Sequence, residues 1–197
     1  MRKILIVTMI IASISCKSQV TPSTPVQSLS SVTSESFTIV NSGTYFKDLD
    51  NRYNQWVGTW EYVNGNTIFR IVIQKQEGVY YPKNTENHPL PINCYMDLLV
   101  GGYYYKDSNG TVVTDHLVYS DIKFPPLLCS SVINYPDNSN NKLIIYYREI
   151  EKSPGLTHGF VDFTLLPGST TQAKWVFNSI KKRNYSVPDN IILTKVP

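Results

Sequence analysis

The sequence predicts an all-β chain folded as a single antiparallel β-barrel, with a two-sheet β-sandwich as the alternative. Three observations predict it. Apolar residues alternate at period two in segment after segment, the pattern of strands with one buried face. No segment keeps a helical period over three turns. Turn residues such as Asn64-Gly65 and Asp107-Ser108-Asn109-Gly110 recur at the short spacing of antiparallel sheets that fold into sandwiches or barrels.

The chain opens with Arg2-Lys3 and an apolar run over 4–14. That run is short of the ~20 residues needed to span a bilayer, and with its positive flank it reads as a signal peptide over 1–15. Half of residues 17–36 are Ser or Thr, with Pro22 and Pro25 among them. Such a stretch buries too little to offset its ordering entropy, so 16–36 is expected to be a flexible tether. The β domain is expected over 37–197.

Within it, 37–40 suggests a short edge strand and 45–54 a helical turn. The stretch Gln55-Trp56-Val57-Gly58-Thr59-Trp60-Glu61-Tyr62-Val63 then puts Trp56, Gly58, Trp60 and Tyr62 on one strand face. Gly58 between two tryptophans leaves room for a close neighbour. Asn64-Gly65 predicts a tight hairpin into the strand 67–76, where Phe69, Ile71 and Ile73 share a face. A strand over 95–106 contains Gly101-Gly102, which predicts a bulge or bend there. Short strands are expected at 111–113 and 117–120. Alternation is clean at 142–150, 159–166 and 172–178, and a last strand spans 191–196. Trp56, Trp60, Phe69, Ile71, Ile73, Trp175 and Phe177 are the expected core.

Charge excludes one broad class. Without Arg2 and Lys3 the 18 basic residues fall to 16 against 15 acidic ones, which gives no electrostatic reason to expect nucleic acid. Lys181-Lys182-Arg183 is a short basic cluster, read as a solvated loop.

No catalytic, metal or cofactor constellation is legible. His88, His116 and His158 are widely separated and lie in no metal-ligand spacing. Neither Gly-x-Ser-x-Gly nor Ser-x-x-Lys occurs, and no glycine loop would cradle a phosphate. Asp97, opposite Met96, Leu98 and Val100, and Asp162, opposite Val161 and Phe163, are expected to face solvent rather than a cleft. The chain reads as a non-enzyme without cofactors.

Ser13-Ile14-Ser15-Cys16 resembles a bacterial lipoprotein processing site. The resemblance implies that Cys16 carries lipid, becomes the mature N-terminus and places the protein at the cell envelope, with the outer membrane as its default destination. An ordinary signal peptide with an incidental cysteine is the alternative. In an oxidising compartment the remaining pair, Cys94 and Cys129, is a disulfide candidate. Such a loop closure would contribute roughly 3–4 kcal/mol. Two separate buried thiols are the other reading.

Gly58-Thr59-Trp60, following a short turn segment, resembles the Gly-x-Trp signature of lipocalins and their calycin relatives. The resemblance implies a lipocalin-like barrel plugged by Trp60, with a cation from near the last strand over the ring. Lys195 is the nearest positional match and Arg183 the second. The departures are the missing Thr-Asp-Tyr motif and strands of uneven length. A second resemblance, to uncharacterised lipoproteins of flavobacteria and related Bacteroidetes, rests on Ser15-Cys16-Lys17, Gly58-Thr59-Trp60-Glu61-Tyr62, the Asn-Gly turn and Ile191-Ile192-Leu193-Thr194-Lys195. It brings no activity with it.

The 14 tyrosines cluster at Tyr80-Tyr81, Tyr103-Tyr104-Tyr105 and Tyr146-Tyr147. Adjacent tyrosines on a strand point to opposite faces, so most are read as one core ring and one surface ring. If a cavity exists, Tyr103, Tyr105, Tyr147 and Phe163 are the candidates for lining it, with a small apolar or amphipathic ligand inside. The competing expectation is an envelope protein with a filled core that meets a protein or glycan partner. A monomer, touching the membrane through its N-terminal lipid, is expected in either case.

Overall fold

The computed structural model describes residues 24–31, 43–81, 94–117, 127–129, 141–149, 158–178 and 185–197. The expected signal peptide, Cys16, the strand expected at 37–40, His88 and the Lys181-Lys182-Arg183 cluster lie outside the described residues.

The chain is all-β. In order come β1 (Val26–Ser28), β2 (Tyr45–Lys47), β3 (Gly58–Asn64), β4 (Thr67–Tyr81), β5 (Cys94–Lys106), β6 (Val112–His116), β7 (Leu127–Cys129), β8 (Lys142–Arg148), β9 (His158–Leu165), β10 (Gln172–Phe177) and β11 (Ile191–Val196). These strands belong to one sheet. The helical content of the described residues is a single 3₁₀ turn, Leu29–Ser31.

Two antiparallel meanders build most of the sheet. β3, β4 and β5 pair in succession, as do β8, β9, β10 and β11. β11 then pairs with β3, setting Lys195 opposite Trp60. β7 pairs with β8 on one side and with β5 on the other. β5 also takes β6 antiparallel and β2 parallel, and β1 lies parallel beside β2.

Several local expectations shift. Part of the stretch expected to be a tether, 16–36, is structured. Val26–Ser28 forms β1, and Leu29 is buried in the core; one apolar side chain and a ladder beside β2 supply what Ser and Thr do not. The turn segment begins later than expected, because Tyr45–Lys47 is a strand and hydrogen-bonded turns follow to Trp56. Trp56 therefore sits in a turn rather than in β3, yet its ring is fully buried. The hairpin loop is Gly65 and Asn66, since Asn64 pairs with Thr67. Gly65 takes φ +57° there, a conformation that glycine adopts without a Cβ penalty.

Gly101-Gly102 is not a bulge. The ladder from Val100 to Tyr103 runs through both glycines without a shift, and the irregularity in β4 falls between Gln76 and Val79. The glycines stand where β5 exchanges β7 for β6 as its neighbour. A Cβ on Gly101 would lie 2.5 Å from the Val72 carbonyl oxygen, and one on Gly102 only 2.0 Å from that of His116. Close backbone approach, not bending, requires them.

The sheet register also separates the two cysteines. Cys94 lies opposite Tyr81, whereas Cys129 lies opposite Leu99, five residues further along β5. At a strand rise of ~3.3 Å per residue this distance is far beyond disulfide reach. Cys94 is a buried free thiol.

The core is an aromatic mesh. Trp56, Trp60, Phe69, Ile71, Ile73, Phe163 and Trp175 are wholly inaccessible to solvent. Phe163 meets Trp60 edge-on at 5.0 Å and Trp56 at 5.5 Å. Trp175 meets Phe69 at 5.1 Å and Phe163 at 6.2 Å. Edge-to-face pairs add ~0.5–1.5 kcal/mol each beyond the area they bury. Phe177, expected in the core, is only partly buried and packs against its edge.

Trp60→Ala is expected to cost about 3–5 kcal/mol in chemical denaturation, as large aromatic truncations in packed cores do. Cys94 gives a second expectation. Burial pushes its thiol up to about 11. The folded state thus keeps a proton that the unfolded state releases above pH 9.0, and that stabilisation is lost as pH rises to about 11. Wild type should lose stability relative to Cys94→Ala across that window. The native thiol should also resist a disulfide reagent at neutral pH and react after unfolding.

Candidate functional site

Two polar constellations flank the aromatic mesh, at opposite ends of β11. That strand starts at Ile191, beside Trp175, and ends at Val196, beside Thr59.

The first is built on Trp60. Its indole Nε1 donates to the Trp56 carbonyl at 2.9 Å, which fixes the ring beneath the incoming turn. Lys195 Nζ lies 5.3 Å from the Trp60 ring centroid and donates to the Gln55 carbonyl at 2.9 Å. A cation over an indole face is worth ~0.5–1 kcal/mol at exposed sites and more where water is excluded. Burial holds the Lys195 ammonium below the ordinary lysine range. Gly58 makes the geometry possible. It adopts φ +126°, and a Cβ there would stand 3.0 Å from Lys195 Cε. The close neighbour at Gly58 is thus the lysine stem. Trp56, Gly58, Trp60 and Lys195, separated by up to 139 residues, form one contact set.

Beside this end a buried charged cluster joins β2 and the turns to β4 and β5. Asp97 is fully buried and Asp48 nearly so. Asp97 accepts from Tyr45 Oη at 2.6 Å, from the Asp48 amide at 3.0 Å and from the Gly78 amide at 3.2 Å. Asp48 accepts from the Arg52 amide at 2.9 Å, the Tyr53 amide at 3.1 Å and Lys75 Nζ at 3.2 Å. Lys75 Nζ also stands 3.7 Å from Asp97 Oδ2. The solvent-facing position expected for Asp97 is therefore overturned. Met96, Leu98 and Val100 on its other side are buried too, so β5 is covered on both faces. Burial and the Asp97 bond raise the Tyr45 phenol above its ordinary range, so it remains a donor. Both carboxylates spend their lone pairs on backbone amides, Tyr45 and Lys75. They organise the irregularity of β4 and the turns, and offer no base to a substrate. Asp162 differs: it is partly exposed and pairs with Lys142 Nζ at 2.8 Å.

The second constellation lies at the other end. Tyr103 and Tyr147, both buried, pack on each other at 5.1 Å. His116 lies edge-on to Tyr103 at 6.1 Å. Tyr147 meets Phe177 at 5.3 Å and Tyr185 at 5.7 Å. Tyr103 Oη donates to the Arg148 carbonyl at 3.3 Å, and Tyr147 Oη donates to Glu149 Oε1 at 3.4 Å. Burial, with Tyr103 adding to it, raises the Tyr147 phenol well above its ordinary range. Glu149 is buried and also accepts from the amide and hydroxyl of Ser186. Of the four expected lining residues, Tyr103 and Tyr147 are together here. Tyr105 packs edge-on to Phe69 at 6.4 Å, and Phe163 lies deeper, against Trp60 and Trp175. Their neighbours are the protein's own rings.

Among the described residues, no three His, Cys, Asp or Glu side chains are grouped to hold a metal ion. The sequence reading missed Asp48, Lys75 and Asp97 as a cluster. The signal was present: β5 reads Cys-Tyr-Met-Asp-Leu-Leu-Val-Gly-Gly-Tyr, near-continuous rather than alternating, as a strand covered on both faces does. Nothing local marked Glu149, Ser186 and Tyr185, which meet only through the fold.

A family model matches residues 1–196, nearly the whole chain. The chain belongs to a family of unknown function, DUF6705. Comparison with curated proteins gave no match, and neither did comparison with solved structures. The function of this DUF6705 chain must therefore be argued from its own residues.

Asp97→Ala removes the acceptor for two buried amides and a phenol and leaves Lys75 with less countercharge. Breaking a buried ionic group in this way costs about 3–5 kcal/mol, which denaturation of the variant should register.

Proposed function

We propose that this chain is a lipid-anchored, non-enzymatic protein of the bacterial cell envelope. In this reading its strands close into a lipocalin-like barrel whose interior is filled by its own aromatic rings. It then works, as a monomer, through its outer surface on a protein or glycan partner. The observation that carries the reading is the packed interior: Trp56, Trp60 and Trp175 are all inaccessible, and the rings expected to line a cavity touch one another instead.

Closure is supported by the pairing of β7 with both β8 and β5, which links the ends of the two meanders. The lipocalin comparison is supported by Lys195 over Trp60. Anchoring is supported by Arg2-Lys3, the apolar run and Cys16. No helix among the described residues is long and apolar enough to cross a membrane, so an attached lipid supplies the anchor in this reading.

One observation favours a second reading, a small amphipathic ligand inside. The Nε1 donors of Trp56 and Trp175 are buried without a hydrogen-bond partner among the described residues. A buried donor left unmade costs ~1–3 kcal/mol, which an acceptor carried by a ligand would recover.

Fractionation and mass separate these ideas. The full-length protein is expected in the membrane fraction and Cys16→Ala in the soluble one; a variant still bound to lipid would defeat the anchor. Native mass spectrometry of protein taken gently from its host should give the mass of the lipidated chain alone. A further small mass, lost on denaturation, would replace the filled interior with the ligand-binding reading.

A further inference from the structure

Four strands set one row of side chains at a corner of the sheet. Val26 of β1 pairs with Tyr45 of β2, Tyr45 with Tyr95 of β5, and Tyr95 with Tyr80 of β4. Residues paired across strands share a face. Tyr45 is buried within the row and bonded to Asp97, whereas Val26 is 52% and Tyr80 46% exposed. Tyr80 and Tyr95 lean on each other at 5.3 Å, and Lys47 Nζ stands 6.0 Å from the Tyr45 ring centroid. The row thus joins an exposed aliphatic group, an exposed phenol and a nearby ammonium. Tyrosine has an apolar body and a polar tip, and lysine an apolar stem below its charge. Such side chains suit the boundary between the hydrocarbon of a bilayer and water.

Chain length ties this corner to the anchor. Cys16 precedes Val26 by ten residues, which reach at most about 36 Å at full extension. The corner itself is held by backbone bonds: the Tyr45 amide donates to the Pro25 carbonyl at 2.8 Å, and the Tyr95 amide to the Thr44 carbonyl at 2.8 Å. From here the 15 residues of β4 lead back to the Asn64-Gly65 hairpin, roughly 45 Å away along the strand. Val63 and Val112, exposed aliphatic residues, lie at that far end. A lipid on Cys16 therefore keeps the Val26 row near the bilayer and lets the hairpin stand away from it.

We propose that the row Val26, Tyr45, Tyr95 and Tyr80, with Lys47 beside it, is the membrane-facing surface of this protein, and that its occupant is the headgroup layer of the bilayer holding the anchor. The inference rests on the Cys16 anchor of the proposed function and deepens it by fixing the orientation. Val26 and Tyr80 enter the headgroup layer, Lys47 meets lipid phosphate, and the Asn64-Gly65 and Asp107–Gly110 turns point outward, toward the partner. Glu77, exposed on the same arm of β4, stands 3.7 Å from Lys75 Nζ, which offsets its repulsion from anionic lipid. One exposed ring and one valine fall far short of the ~800 Å² per partner that a stable protein interface buries. A bilayer already held close by a lipid needs no such area.

The test puts a genetically encoded coumarin amino acid in place of Tyr80, of Val26 or, as the distant reference, of Val63 in the full-length chain. Protein from the host membrane fraction is reconstituted into vesicles of phosphatidylethanolamine and phosphatidylglycerol, a fraction of whose headgroups carry a nitroxide quencher. The probes replacing Tyr80 and Val26 should lose emission relative to vesicles without nitroxide, and the probe replacing Val63 should keep it. Equal loss at all three positions, or loss at Val63 alone, would overturn the surface and leave the anchor standing. So would retained emission at all three in membrane-bound protein, which assigns the row to a protein partner or a second copy. Protein recovered in the soluble fraction would show that the anchor has failed. The same vesicles added to that soluble protein then test the surface alone: loss confined to the Tyr80 and Val26 probes upholds it, and no loss overturns it as well.

Discussion

The pairing of β11 with β3 joins the two halves of this molecule. β3–β5 and β8–β11 are each a local meander, assembled from neighbours in sequence. Only the seam where Lys195 lies opposite Trp60 unites them on that side. Closing so long a loop carries an entropic cost that grows slowly with length but must be met by contacts made at the seam. Trp60 supplies them in three directions: to Phe163 across the interior, to the Trp56 carbonyl below and to Lys195 above. Gly58 is subordinate to that arrangement, because any side chain there would occupy the path of the lysine stem.

Buried polarity is handled differently at the two ends. Near Trp60, Asp48 and Asp97 use backbone amides and one lysine to bind short irregular segments to the long strands. These carboxylates replace the ladder bonds that turns and the β4 irregularity cannot make for themselves. At the other end, Glu149 accepts from Tyr147 Oη and from the amide and hydroxyl of Ser186, which ties the segment before β11 to the end of β8.

Much of the strand pattern was legible. β8 and β10 alternate in the sequence and alternate in burial, because each has one face on the mesh and one on solvent. β5 was misread at Asp97 because alternation was assumed where the strand is covered on both sides. Gly101-Gly102 was read as a bend because sequence marks small residues without saying what comes close to them; here it is the carbonyls of Val72 and His116. The cysteine pair was plausible by number and excluded by register, a quantity no spacing along the chain reveals. The contact of Lys195 with Trp60 was anticipated through a resemblance to lipocalins, and its reach to the Gln55 carbonyl was not.

The sequence by itself determined the all-β class, the identity of most core residues and the order of the strands, because these follow from local periodicity and turn chemistry. Membership of a family of unknown function followed from it too. The tertiary structure alone decided which strands are neighbours, which carboxylates are buried, which thiol is isolated and which ring stacks on Phe177. Each of those depends on groups far apart in the chain meeting at van der Waals or hydrogen-bond distance, and such meetings leave no period in the sequence.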